Sequence, residues 1–345
     1  MEKVRVGLIG LGFMGTTHFN IHRANPNVVI TALADKQECR RKGDISSVVG
    51  NIGNGDNSIP LDMTGITTYE DGYDLINDPN VDMVDICVPT PDHTGLIIAA
   101  IKAGKHVFSE KPLCRTLEQE KQIRAAVAEA KTYVNFGMCC RAWPEYRFAW
   151  EQFHAGAYGA LRSATFRRLS PNIDGNNWDN WFMDGKRSGG CLLDMHLHDV
   201  DLIRYFFGRP QAVTAFGANI NSHGAIDHVI SVYDYGNGTL VEAEGSWAAS
   251  KTTPFEMTFQ LICEKATIRW MAEGFKVYWN DGRVEEPQVE ATTGWHKELQ
   301  YFVECIQKGV TPDKYQNYES VADGFKMAMA EQASIDAGQK IQIQF

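Results

Sequence analysis

No apolar run in this chain reaches the length of a transmembrane helix, and no basic amphipathic stretch suits a membrane surface. Positive charge is in short supply: the net charge of −10 leaves no basic face for general nucleic-acid binding. The eight cysteines form no Cys-x-x-Cys and only one adjacent pair, Cys139-Cys140. That scatter suits reduced thiols in the cytoplasm better than a disulfide framework. Cys87, Cys191 and Cys263 lie in apolar runs and read as small buried residues. No internal repeat is visible, and a first strand beginning at Val4 leaves no room for a signal peptide. What remains is ordinary globular material, 345 residues with 44% hydrophobic and 22% charged, enough for one or two cores.

Residues 1–125 alternate strand and helix. Apolar runs at 4–9, 28–34, 83–88 and 106–109, followed by 133–136, read as strands, and residues 16–24, 69–77, 95–103 and 117–131 as helices. Such alternation predicts a doubly wound parallel sheet, an α/β domain of the Rossmann type. A Gly- and Asn-rich surface loop is expected around residues 50–58. Over residues 126–345 the pattern changes. A helix at 145–154 is followed by a strand at 161–169, a loop rich in Asn, Asp and Trp, and a helix at 191–207. Strands at 212–220, 226–233, 239–247, 255–263, 266–271 and 276–279 then precede helices at 297–308 and 319–337. This grouping predicts an α+β domain on a large, mostly antiparallel open sheet.

Gly10-Leu11-Gly12-Phe13-Met14-Gly15 follows the first strand and opens the first helix, and the second strand ends at Asp35. Strand, glycine turn, helix, strand, acid is the order of a dinucleotide site. Gly10 permits the tight turn, Gly12 lets backbone approach a pyrophosphate, and Gly15 lets the helix pack closely. Phe13 and Met14 open the helix whose N–H groups would meet phosphate. Asp35 would accept the ribose hydroxyls, favouring NAD; Lys36, Arg40 and Arg41 could host the extra phosphate of NADP, or simply form a solvated face.

Three further segments carry polar groups at strand or helix ends. In Val88-Pro89-Thr90-Pro91-Asp92-His93 the prolines stop a strand at its carboxyl end, and His93 could cap the next helix or touch nicotinamide. In Ser109-Glu110-Lys111-Pro112 the proline turns the chain, so Lys111 could hold a substrate oxygen, with Glu110 as its pair or as a cofactor contact. A surface lysine beside a structural proline is the plainer alternative. In the segment from Gly189 to Asp201, a continuous helix would place Asp194, His198 and Asp201 at i, i+4 and i+7 on one face, suited to acid–base work or merely solvated. His196 and His198 would point about 200° apart on a helix, so no metal site is expected. The tryptophans of Asn176-Asn177-Trp178-Asp179-Asn180-Trp181 suit a sugar face or a packed loop equally.

Taken in order, GLGFMG, the acid after the second strand, VPTPDH, SEKP and GGCLLDMHLHDVD resemble the glucose–fructose oxidoreductase / inositol dehydrogenase / MocA (Gfo/Idh/MocA) family over nearly the whole chain. The resemblance implies an N-terminal NAD-binding domain and a C-terminal domain that carries substrate and forms homodimers or homotetramers through its sheet. It implies that His198 takes the hydroxyl proton with Lys111 and Asp194 in support. It also makes Pro89, Thr90, His93, Glu110 and Lys111 cofactor contacts, and Arg141, Trp178 and Trp181 candidates for substrate. The expected activity is oxidation of a secondary hydroxyl of a cyclic polyol, sugar or sugar derivative with NAD, or with NADP. Two other classes stay open: a redox-neutral glycoside-cleaving or epimerising enzyme with tightly bound NAD, and a non-catalytic dinucleotide-binding sensor.

Overall fold

Six segments of the first half form one sheet in the computed structural model, which describes residues 2–50, 57–175 and 178–345. They are β1 (Val4–Ile9), β2 (Val28–Ala34), β3 (Thr67–Tyr69), β4 (Met83–Ile86), β5 (His106–Ser109) and β6 (Val134–Phe136). Their order is β3-β2-β1-β4-β5-β6 and every pairing is parallel. Strands covered on both faces need continuous apolar sequence, which is why β4 is buried throughout. The order reverses between β1 and β4, the switch point beside which open α/β sheets bind ligands. Helices α1 (Phe13–Ala24), α2 (His93–Lys102) and α3 (Leu117–Glu129) make crossovers, the last started by a capping box between Thr116 and Gln119.

The chain divides into two compact units, and the first reaches past residue 125 to Cys139. The reason is β6, which completes the parallel sheet. Trp295–Tyr318 also belongs to this unit. Leu299, Phe302 and Val303 of the helix Gly294–Lys308 pack with Val4, Val6, Met83 and Phe108 in one buried cluster. The helix predicted at 69–77 shortens to Gly72–Ile76 because Tyr69 is taken by β3, opposite Ala34. Of the predicted Gly/Asn loop, residues 51–56 lie outside the described residues.

The second unit comprises Cys140–Gly175, Phe182–Gly294 and Glu319–Phe345. Its sheet contains β7 (Leu161–Pro171), β8 (Ala212–Ala218), β9 (His228–Asp234), β10 (Leu240–Ala249), β11 (Glu256–Cys263), β12 (Ala266–Met271), β13 (Gly274–Trp279), β14 (Val284–Glu285) and β15 (Ile341–Gln342). The nine strands run β14-β13-β12-β11-β7-β10-β9-β8-β15, antiparallel except where β7 meets β10. Side chains alternate across it. Ala215, Ser231, Ala243, Phe166 and Phe259 form a buried row, while Phe216, Ile230, Glu244 and Arg167 form the row on the other face. The two short edge strands, too brief to signal themselves, escape sequence reading.

Candidate active site

At the carboxyl end of β1 the glycines do separate work. Gly10 has φ +90°, and a Cβ there would come within 2.6 Å of the Cys87 carbonyl oxygen. A Cβ at Gly15 would overlap the Gly10 carbonyl, whereas one at Gly12 would meet nothing within 4 Å among the described residues. Helix α1 starts at Phe13 with no side-chain cap, and Phe13 and Met14 are partly exposed there. Asp35 fixes the turn from the end of β2: its Oδ2 accepts the Leu11 N–H at 2.8 Å and its Oδ1 accepts the Gln37 N–H at 2.8 Å. Each oxygen keeps a lone pair for a ligand hydroxyl. Arg40 is turned inward, donating to the Asp44 carbonyl and Ser47 Oγ, and Arg41 donates to the carbonyls of Asp35 and Lys36. An open backbone at Gly12, an uncapped helix start and a carboxylate after β2 fit a dinucleotide.

The ends of β4 and β5 lie alongside. Pro89 is partly exposed, and the Thr90 hydroxyl is buried without a hydrogen-bond partner among the described residues. His93 neither caps α2, whose N-cap is Asp92, nor keeps a ring nitrogen for nicotinamide. Its Nδ1 lies 2.8 Å from the Pro112 carbonyl oxygen and its Nε2 2.9 Å from that of Val88, in a site where it is 1% exposed. Burial, only partly offset by those two carbonyls, lowers its pKa. The histidine is a strut between the two strand ends. Lys111 is partly exposed just before Pro112, and the peptide bond joining them is cis.

Glu110 is buried rather than displayed to a cofactor. Its Oε2 accepts the Lys111 backbone N–H at 3.1 Å, and its Oε1 lies 3.2 Å from His18 Nε2. His18 Nδ1 in turn faces Asp85, 3.0 Å from Oδ2, and Asp85 Oδ2 also meets His22 Nε2 at 2.8 Å. Burial opposes a charged His18, but Asp85 outweighs it and the pKa is raised well above the ordinary imidazole value. Burial likewise opposes the Asp85 carboxylate, and His18 and His22 overcome it, holding its pKa below the ordinary carboxylate range. Sequence reasoning missed this cluster. Its one signal is Asp85 itself, an acid inside the apolar run Met83-Val84-Asp85-Ile86.

In the second unit the segment after Gly189 is not one helix. It runs as α4 (Gly190–Asp194) and α5 (Leu197–Phe207), broken at Met195 and His196. Tertiary packing makes the break. The His196 ring lies over β10, where a Cβ at Gly245 would come 2.6 Å from its Nδ1, and its Nε2 meets Glu331 Oε1 at 3.2 Å. The double glycine has a similar cause: Gly190 has φ +71°, and a Cβ there would come 2.6 Å from the Ile226 carbonyl oxygen. Asp199 pairs with Arg168 and Asp201 with Arg141, all four buried. Asp201, one turn on from His198 in α5, is therefore spent on Arg141 rather than left open beside Asp194 and His198. Those two are the partly exposed residues of the segment from Gly190 to Ile203, every other one being buried.

Residues 4–138 match an oxidoreductase family with an NAD-binding Rossmann fold, and residues 146–269 match the GFO/IDH/MocA C-terminal domain. The chain belongs to the GFO/IDH/MocA family. It is an oxidoreductase with an NAD-binding domain. Among relatives of this GFO/IDH/MocA chain, scyllo-inositol 2-dehydrogenase (NAD(+)) of Bacillus subtilis is 27% identical, covering 90% of this chain and 88% of its own. Levoglucosan dehydrogenase of Pseudarthrobacter phenanthrenivorans is 30% identical over 62% of this chain and 54% of its own. In fold, the chain resembles a solved levoglucosan dehydrogenase in complex with NADH and levoglucosan, at a TM-score of 0.82 and 22% identity over the full length of both.

Besides those for His93 and Asp201, two more expectations for this GFO/IDH/MocA chain need correction. Arg141 is not presented to substrate: its guanidinium is 1% exposed, forks onto Asp201 at 2.7 and 2.6 Å, and donates to Ser320 Oγ. Burial and this fork onto Asp201 make Arg141 an interior ion-pair partner. Glu110, as above, is an inward partner of His18. Of the Trp loop, Asn176, Asn177 and the side chain of Trp178 lie outside the described residues. Trp181 is partly exposed, and Asp179 and Asn180 before it hold φ of +53° and +45°. Asp and Asn tolerate that left-handed region better than other side chains.

Proposed function

We propose that the enzyme oxidises a secondary hydroxyl of a cyclic polyol, sugar or sugar derivative with NAD as the oxidant. The observation that carries this reading is the exposure pattern of the segment from Gly190 to Ile203, where Asp194 and His198 alone are partly open to solvent. The likeness to an inositol and a levoglucosan dehydrogenase supports the substrate class. Bound NAD, held by the Gly10–Gly15 turn, Asp35 and Thr90, supplies the two-electron acceptor. A ring nitrogen of His198 takes the hydroxyl proton, and Asp194 fixes the orientation of the imidazole. Lys111 Nζ donates to the same oxygen and stabilises the charge that develops on it. The inward turn of Arg40 and the position of Asp35 support NAD over NADP.

The outer face of the second unit's sheet supports self-association. Phe216 and Ile230 sit opposite one another at 71% and 43% exposure, with Val232 one row away. A second copy of the chain would cover these apolar side chains.

The test is spectrophotometric. Purified protein is given NAD, then NADP, with a panel of inositols, aldoses and simple glycosides. NADH is expected from at least one cyclic polyol or sugar, and silence across the panel overturns the reading. Light scattering is expected to give two or four copies per particle, and a monomer removes the proposal for the sheet face.

A further inference from the structure

We propose that His18 is a positioning residue for the reaction, holding Lys111 in place through Glu110. The inference rests on the role proposed for Lys111. His18 stands on the first helix of the glycine turn, and its two nitrogens meet two different carboxylates. Nδ1 lies 3.0 Å from Asp85 Oδ2 and Nε2 3.2 Å from Glu110 Oε1. The side chains of His18 and Asp85 are fully buried and that of Glu110 is 6% exposed. Other titratable groups facing the cluster are His22, on Asp85, Cys87, whose Sγ is 3.3 Å from His18 Nδ1, and the buried His93, which feels the Glu110 charge.

Glu110 has little room to move. A Cβ at Gly137 would come 2.8 Å from its Oε1 and 3.0 Å from its Oε2, so the carboxylate is clamped between the imidazole and that backbone. Its own backbone N–H is tied to the Ile86 carbonyl at 2.9 Å. Its Oε2 holds the N–H of Lys111 at 3.1 Å, which sets the direction in which the lysine leaves the end of β5. Doubly protonated, the imidazole hydrogen-bonds Asp85 through Nδ1 and sets its charge 3.2 Å from Glu110 Oε1, an ion-pair contact outside hydrogen-bond geometry. Neutral, with its proton on Nδ1 toward Asp85, it offers Glu110 no charge, and the carboxylate loses its partner. A displacement of about 1 Å at a reacting group costs up to about 10²-fold in rate, so a buried strut behind Lys111 has catalytic consequences.

Two amide replacements separate the contacts. His18→Asn places its amide near Nδ1 and reaches Asp85 alone, whereas His18→Gln places it near Nε2 and reaches Glu110. His18→Asn is expected to lower kcat by about tenfold or more and to shift the kcat–pH profile, with KM for NAD little changed. His18→Gln is expected to recover most of that loss. A second readout needs no turnover: isotopically labelled reductive methylation followed by NMR, with the Lys111 resonance assigned from a Lys111→Arg variant. That resonance is expected to move in His18→Asn and to stay near its wild-type position in His18→Gln.

Where His18→Asn does not fold, Glu110→Gln takes its place and is expected to move the Lys111 resonance likewise. An unmoved resonance with a wild-type pH profile overturns the proposal, as does equal damage in the Asn and Gln variants. If the wild type makes no NADH from any polyol, the functional reading fails, and the Lys111 resonance still decides the role of His18.

Discussion

Beneath Lys111 in the first unit lies a histidine between two carboxylates, whereas the segment carrying Asp194 and His198 in the second is held by arginines, Arg168 on Asp199 and Arg141 on Asp201. An arginine keeps its charge throughout the pH range in which proteins fold, and a histidine does not. Burial opposes the Arg168 charge, but Asp199 outweighs it and pushes the pKa further up. The two units thus solve one problem, fixing a polar group in an apolar surround, with different sensitivity to protons. The arginine pairs of the second unit yield only to mutation, and its proton-sensitive contact is instead His196, whose pKa is lowered by burial but raised overall by Glu331.

The largest effect expected from breaking this pairing of units is catalytic. Lys111→Met removes the proposed donor from the first unit and His198→Asn the proposed base from the second. Each should lower kcat about 10²–10⁴-fold, with NAD affinity by fluorescence titration little changed. Wild-type rates in both variants would sink the assignment. Next in size is Arg168→Met, which strands Asp199 in the interior and should cost about 3–5 kcal/mol in denaturant unfolding. Adding Asp199→Leu should recover most of that, because the pair together is worth far less than a lone buried charge. A cost under about 1 kcal/mol for the single change would show that the pair is no anchor.

A pH experiment sharpens the contrast. The His18 pKa is raised in the folded state, so its stabilisation is complete below the unfolded imidazole value, about 6.5, and fades as pH rises through the folded value. Hydrogen exchange corrected for intrinsic rates should therefore show β1 and β4 losing protection above about pH 6.5, while β7, which carries Arg168, holds its own. Parallel behaviour of β7 would erase the distinction. The smallest effect belongs to Asp35→Ser, which should narrow the preference for NAD over NADP by about tenfold, or about 1.4 kcal/mol. An unchanged ratio would move cofactor choice onto other groups of the first unit.

Local chemistry was legible in the sequence, and tertiary partnership was not. The glycine turn announces itself because Gly10, Gly12 and Gly15 answer steric demands made within a few residues or by an adjacent strand. The strand–helix alternation and the long strands of the second sheet follow from periodicity alone. The break at Met195 and His196 is invisible because its cause, Glu331, lies 135 residues away. Arg141 looked available for substrate because its partner Asp201 is 60 residues distant, and Glu110 because His18 stands on another helix. An arginine in sequence carries no sign of whether its carboxylate is a ligand or a neighbour.

The helix Gly294–Lys308 closes the hydrophobic side of the parallel sheet by placing Leu299, Phe302 and Val303 against Val4, Val6, Met83 and Phe108. The consequence is one of timing on the ribosome. The nucleotide-binding half is translated early, yet its core stays open until nearly the whole protein has emerged. A fragment cut after Cys139 would carry every glycine of the dinucleotide turn and still present a bare apolar face to solvent. Such a fragment should be a client for chaperones rather than a free-standing module.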